Sequence, residues 1–224
     1  MKTLLLLLAL CGVAYADTFP ASGPCEDVET CEKACTTNQK GTCYWGGVLV
    51  MQSALDDDKL ERARKLFDRA CTKGDVDACY QTAQLVDRIE SKATDNKDHT
   101  KALAAYARSC AKRHARGCFD YAFYLNLAGD ARSKKLAVAA KKKGVQVLEQ
   151  RCTKDKLPRA CEWVAWLYES GDGVAKNPRK AEQLRERSCK LELTESCKAR
   201  AQAKLDAKTE AKTDAKADAQ VVAP

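Results

Sequence analysis

ACTKGDVDAC, residues 70–79, sets Cys71 and Cys79 eight positions apart around a Gly-Asp turn. The same spacing recurs as Cys35/Cys43, Cys110/Cys118 and Cys189/Cys197, and with one more residue as Cys152/Cys161. The leading cysteines stand 36, 39, 42 and 37 residues apart, a period that marks a repeat array. More than cysteine repeats. Nine and eight positions before four leading cysteines stand Arg62-Ala63, Lys101-Ala102, Lys143-Gly144 and Lys180-Ala181. Four positions after the second cysteine of the first four pairs stands a small residue: Gly47, Ala83, Ala122 or Ala165. Six and seven positions after it come Leu49/Val50, Leu85/Val86, Tyr124/Leu125 and Leu167/Tyr168.

These offsets are helical, because residues at 0, +3, +4 and +7 share one face. Each second cysteine opens an apolar stripe on a helix, A, and each leading cysteine closes another, B, as in LERARKLFDRAC, residues 60–71. Cys71 then ends one B helix and Cys79 lies in the first turn of the next A helix. A tight turn brings the two side chains to the short Cα separation that a disulfide needs. Closing a loop of this size stabilises a junction by about 2–3 kcal/mol in the chain-entropy model. Zinc sites space cysteines more closely, and only His99 and His114 could add ligands, so the reading includes no metal and no cofactor. Cys25 and Cys31 precede the regular pairs. They are left to each other if Cys35 pairs with Cys43, and two other connectivities of these four remain open. On one continuous helix they would face different ways, which places Cys25 outside it.

The 224 residues carry 39 Lys+Arg against 31 Asp+Glu, with 6% aromatics, a helix-favouring composition. MKTLLLLLALCGVAYADTFP reads as a secretory signal: Lys2, an apolar run from Leu4 to Val13, and Ala14-Tyr15-Ala16 before the cut. A lipoprotein signal ending at Cys11 is the weaker rival, because Leu10 is not small. Losing residues 1–16 leaves 12 of the 13 cysteines, an even set that suits disulfides in a secreted or periplasmic protein. Nothing after residue 16 is apolar enough to span a membrane. Residues 17–200 form the repeat region. Residues 201–224 hold AKLDAKTEAKTDAKADAQVVAP, too polar to bury a core and read as a capping helix and disordered tail.

The stretch RACEWVAWLYESGDGVAKNPRKAEQLRERSC resembles a Sel-one-like repeat, the αα relative of the tetratricopeptide repeat. The resemblance rests on Ala160-Cys161, Ala165, Leu167-Tyr168, Gly171-Asp172-Gly173-Val174 and Lys180-Ala181. The cysteine placement further resembles the disulfide-stapled Helicobacter cysteine-rich proteins. This implies an all-α fold, a right-handed αα solenoid of about four and a half repeats, over residues 25–200. The stretches 91–99 and 130–143 depart from the pattern, carrying extra residues and lacking the Gly-x-Gly loop.

The same subgroup includes described penicillin-binding proteins and weak β-lactamases, which implies an enzymatic alternative. Ser109-Cys110-Ala111-Lys112 matches Ser-x-x-Lys, but neither companion motif of the serine β-lactamases is present. Ser109 also stands where Ala70 and Ser188 stand, before a stapled cysteine, so packing accounts for it. His99 and His114 sit in polar, basic segments and read as solvated surface residues.

The resemblance also implies that A helices line a concave groove. Rotated about 100 degrees from the core stripe, the positions +1, +5 and +8 give Tyr44, Val48, Met51; Tyr80, Gln84, Asp87; Phe119, Phe123, Asn126; and Glu162, Trp166, Glu169. Such aromatic and amphipathic residues suit a protein or peptide partner, although they would equally fill the tight inner curve of an array. The basic clusters Lys112-Arg113-His114-Arg116, Lys134-Lys135 and Lys141-Lys142-Lys143 could meet lipopolysaccharide, phospholipid or an acidic partner. Solvated helix faces are their commoner explanation. No nucleic-acid module is recognisable. The reading is a partner-binding scaffold, with the β-lactam activity second and a structural envelope protein third.

Overall fold

A computed structural model describes residues 23–37, 39–52, 56–93, 99–191, 197, 198 and 202. The expected signal segment, Cys11 and nearly all of the expected tail lie outside the described residues. Among the described residues the fold is all-α, without strands. Five helices end at or beside a leading cysteine: α1 (Val28–Thr36), α3 (Asp57–Thr72), α5 (Thr100–Ala111), α7 (Ala131–Thr153) and α9 (Pro178–Leu191). Four helices take a second cysteine into their first turn or just beyond it: α2 (Thr42–Gln52), α4 (Val76–Ala93), α6 (Ala115–Ala128) and α8 (Pro158–Ser170). These are the B and A helices of the repeat.

Six disulfides close the pattern: Cys25–Cys31, Cys35–Cys43, Cys71–Cys79, Cys110–Cys118, Cys152–Cys161 and Cys189–Cys197. The five junction staples span Cα separations of 4.3 to 5.4 Å. Cys25 stands outside α1, whose cap is Asp27, and turns back to Cys31 across 5.3 Å.

The junctions repeat at the level of single hydrogen bonds. After Cys71, the amides of Lys73, Gly74 and Asp75 donate to the carbonyls of Arg69, Cys71 and Ala70 at 3.1, 3.0 and 3.0 Å. After Cys110, those of Lys112, Arg113 and His114 donate to Arg108, Cys110 and Ser109 at 3.0, 2.9 and 3.1 Å. Gly74 takes φ +98° and Arg113 takes φ +69°, the left-handed residue that turns the chain at each site. The next residue caps the following helix: Asp75 accepts from the amide of Ala78 at 2.9 Å, and His114 Nδ1 accepts from that of Gly117 at 3.0 Å. His114 is buried, at 5% exposure, which corrects the solvated surface residue expected from its basic neighbours. Its place is set by the backbone of the turn, not by the polarity around it.

The chain divides within α5 into two compact units, Met1–Ala105 and Tyr106–Pro224. In the first, Leu60, Ala63, Leu66, Phe67 and Ala70 of α3 pack with Val50 of α2, Ala78 and Leu85 of α4, and the staple sulfurs. In the second, Val145, Val147 and Leu148 of α7 pack with Val164, Ala165 and Leu167 of α8 and with Ala181 and Leu184 of α9. The main helix contacts are between sequence neighbours, α1 with α2, α2 with α3 and α3 with α4 in the first unit, and α6 with α7, α7 with α8 and α8 with α9 in the second, the nearest-neighbour logic of repeat proteins. The residues of 130–143 that break the sequence pattern extend α7 at its start.

Small residues fall where helices approach closely. Ala83, Ala122 and Ala165 are fully buried, as are Ala63, Ala102 and Ala181. A side chain at Gly47 would stand 2.8 Å from the Phe67 ring, itself buried and rigid. Gly47→Ala is therefore expected to cost about 1–3 kcal/mol by overpacking. Adding Phe67→Leu should recover part of that loss in urea titrations. Strict additivity of the two substitutions would show that the helices do not meet there.

Candidate binding surface

The twelve groove positions divide sharply by depth. In the first unit most are packing residues. Tyr44 meets Phe67 edge-on, with ring centroids 5.3 Å apart and an interplanar angle of 65°. Burial, with Asp77 and Asp75 nearby, pushes its phenol up to about 12. Val48 and Met51 pack partly buried on the same core. Tyr80 is buried at 7% exposure, and Gln84 Nε2, on the exposed side, donates to its hydroxyl at 3.2 Å. Asp87 is half-buried. Tyr44, Val48 and Met51 are thus partly buried in the packing of this unit, and Tyr80 is buried. An A helix has a neighbour on either side, so its buried arc is wider than one stripe.

In the second unit the surface opens. Phe119 is half-buried, its ring 5.5 Å from Trp163 of α8 and tilted by 34°. Gly144 makes room for it, since a side chain there would come within 2.7 Å of the Phe119 ring. One turn beyond Phe119 on α6, Phe123 is 57% exposed; beyond Trp163 on α8, Trp166 is 54% exposed. Leu127, a further turn along α6, is 58% exposed. Phe123 leans edge-on against Tyr124 at 5.3 Å, and Tyr124 stacks on Tyr106 at 5.5 Å, so the exposed ring has a fixed floor. Asn126 and Glu162 are exposed. Glu169 is exposed as well but is held by an ion pair with Arg185 of α9, which occupies it as a partner contact. Leu127 and Trp163 were outside the sampled offsets, at +9 and +2 from their cysteines. A search for every large apolar residue on the A helices would have found both.

The remaining candidates take structural places. Ser109 is fully buried against Gly117, and its hydroxyl oxygen has no hydrogen-bond partner among the described residues. Lys112 is exposed on the turn beyond it. A serine so enclosed cannot meet a β-lactam ring, and the Ser-x-x-Lys match reflects close helix packing. His99 is half-buried before α5, its carbonyl accepting from the amide of Leu103 at 2.8 Å. Lys180, read only as part of the repeat, bonds Glu149 Oε1 at 2.7 Å and the Tyr168 hydroxyl at 2.6 Å. That hydroxyl donates to the same Glu149 oxygen at 2.7 Å. Among the described residues no cluster of three or more His, Cys, Asp or Glu could hold a metal ion. No helix there is long and apolar enough to cross a membrane.

No protein-family model matches the chain. The chain is 30% identical over 135 residues to cytochrome c oxidase assembly factor 7 of Xenopus tropicalis, covering 58% of this chain and 54% of that protein. To cytochrome c oxidase assembly factor 7A of Xenopus laevis it is 27% identical over 133 residues, with the same coverage of 58% and 54%. The chain spans about half the length of the curated relatives it matches. Its structural neighbours are Sel1 repeat proteins. One, from Oxalobacter formigenes, is 19% identical with a TM-score of 0.47, covering 73% of this chain and 62% of that one. Another, a protective antigen of uropathogenic Escherichia coli displaying an SLR fold, is 16% identical with a TM-score of 0.48, covering 72% and 32%.

Proposed function

We propose that this protein is a disulfide-stapled helical scaffold that binds a protein or peptide through the exposed aromatic face of its second unit. The observation that carries this reading is the exposure of Phe123, Leu127 and Trp166 on two A helices above a packed aromatic floor. Large apolar side chains left in water over an ordered base are the usual anchors of an interface. The name of the curated relatives, assembly factors for another protein complex, agrees with a role exercised on protein partners. Six disulfides suit an oxidising compartment, and we include export, with the signal removed after Ala16, in the proposal. Asn126 and Glu162 supply polar contacts at the edge of the aromatic face.

The test compares the oxidised protein with a Phe123→Ala/Trp166→Ala variant, each immobilised and offered material from the producing cells under crosslinking. The double variant is expected to lose a captured protein by at least about tenfold while melting within a few degrees of the parent. Binding of the purified partner should also blue-shift Trp166 fluorescence. Identical captures by both proteins would remove the aromatic face from the function. A collapse in melting temperature would make these residues part of the core.

A further inference from the structure

The start of α7 does not belong to the repeat. Lys143 is the thirteenth residue of α7, whereas the equivalent Arg62 is the sixth of α3. The chain has therefore added two helical turns before the repeat resumes. Of this extension only Ala137 and Ala140 are buried. Packing does not dictate the rest, yet its composition is strongly one-sided. Between Ala131 and Gly144 stand six cations, Arg132, Lys134, Lys135, Lys141, Lys142 and Lys143, and no Asp or Glu. Lys141 is taken up by Asp172 at 2.6 Å, and Lys143 reaches the Ala111 carbonyl at 3.5 Å. The other four are exposed, with no ion pair among the described residues.

At 100 degrees per residue, Arg132, Lys135, Val138, Ala139 and Lys142 fall within an arc of about 120 degrees, and Lys134 borders it. Val138, 68% exposed, lies within this cationic arc, while Leu136, 42% exposed, stands at its other edge. We propose that this extension of α7 is a docking face for an anionic phospholipid bilayer. A protein partner would be matched by charges of both signs and by shaped contacts. A flat anionic surface instead needs a row of cations of one sign, small residues that permit close approach and a few apolar side chains at the interface. Ala131 and Ala139 are the small residues, and Val138 is the apolar one. The attraction is independent of the aromatic face of α6 and α8.

The test is sedimentation of the oxidised full chain with phosphatidylcholine vesicles, with and without phosphatidylglycerol. Binding is expected only to the anionic vesicles and should disappear in high salt. Each cation contributes about fivefold to such binding, so Lys134→Glu/Lys135→Glu/Lys142→Glu should weaken it by at least about a hundredfold with unchanged circular dichroism. Val138→Asn should weaken it several-fold without altering binding to soluble polyaspartate. Reversing Lys154 and Lys156, exposed cations at the far end of α7, should cost much less. Failure to bind anionic vesicles, or equal losses from the two reversals, would overturn the proposal. So would equal affinity for polyaspartate with no effect of Val138→Asn, which would assign the face to an acidic protein.

Discussion

Complete reduction of the oxidised protein is expected to abolish cooperative thermal unfolding at neutral pH, with loss of most helical circular dichroism at 25 °C. Each junction staple closes a loop of about nine or ten residues and contributes about 2–3 kcal/mol. Five of them amount to about 10–15 kcal/mol, which is the full net stability of an ordinary domain. The position of the sulfurs strengthens the expectation. Cys31, Cys71, Cys118, Cys152 and Cys161 are wholly buried, so reduction also leaves thiols where packed sulfur pairs had been. Because the helices pack chiefly on their neighbours along the chain, few distant contacts compensate for a weakened junction. Replacing one pair, Cys152→Ser/Cys161→Ser, should cost only about 2–3 kcal/mol and leave the rest folded. A reduced protein that still melts within a few degrees of the oxidised one would mean that helix packing alone carries the fold.

Much of this architecture was legible because the repeat imposes the same constraint at the same offset. The small residues at +4 were readable because close helix approach admits nothing larger, as at Gly47 beneath Phe67. The basic residue before each small residue was readable as a pattern, but its reason was not. Arg62 pairs with Glu32 of α1 at 2.7 Å, and Lys180 pairs with Glu149 of α7 at 2.7 Å. Both reach back about one repeat, from a B helix to the previous B helix, a contact that no window along one helix contains. These partly exposed pairs contribute at most about 1 kcal/mol each; they set register more than stability.

The aromatic face was legible only in part. Offsets from the cysteines returned the exposed Phe123 and Trp166 together with the partly buried Tyr44 and the buried Tyr80. Periodicity gives the direction of a side chain and not the width of the arc that its neighbours bury. The extension of α7 was visible as extra residues and excess charge, yet its helical continuity with the repeat required the structure.

His114 was hidden by its neighbours and leads to the second large effect. Its imidazole is pushed down to about 3, first by burial and then by the charges of Arg151 and Arg116. Its Nδ1 must be unprotonated to accept from the Gly117 amide. In the unfolded chain the imidazole returns to its ordinary value of 6.5. Between pH 6.5 and about 3 the unfolded chain therefore holds a proton that the folded chain lacks. Stability falls as the pH falls through that window, by up to about 1.4 kcal/mol per pH unit, and is level above it. His114→Asn keeps a neutral acceptor at the helix start and removes the titration. The two proteins should differ little at pH 7, while at about pH 4.5 the variant should be the more stable by about 2–3 kcal/mol. Glu32 and Glu61, held low by their arginine partners Arg62 and Arg64, lose stability in acid in both proteins, so the difference isolates His114. Urea unfolding of both at several pH values reads it directly. Parallel pH profiles would place the proton on this imidazole at no cost and would contradict its burial as a neutral cap.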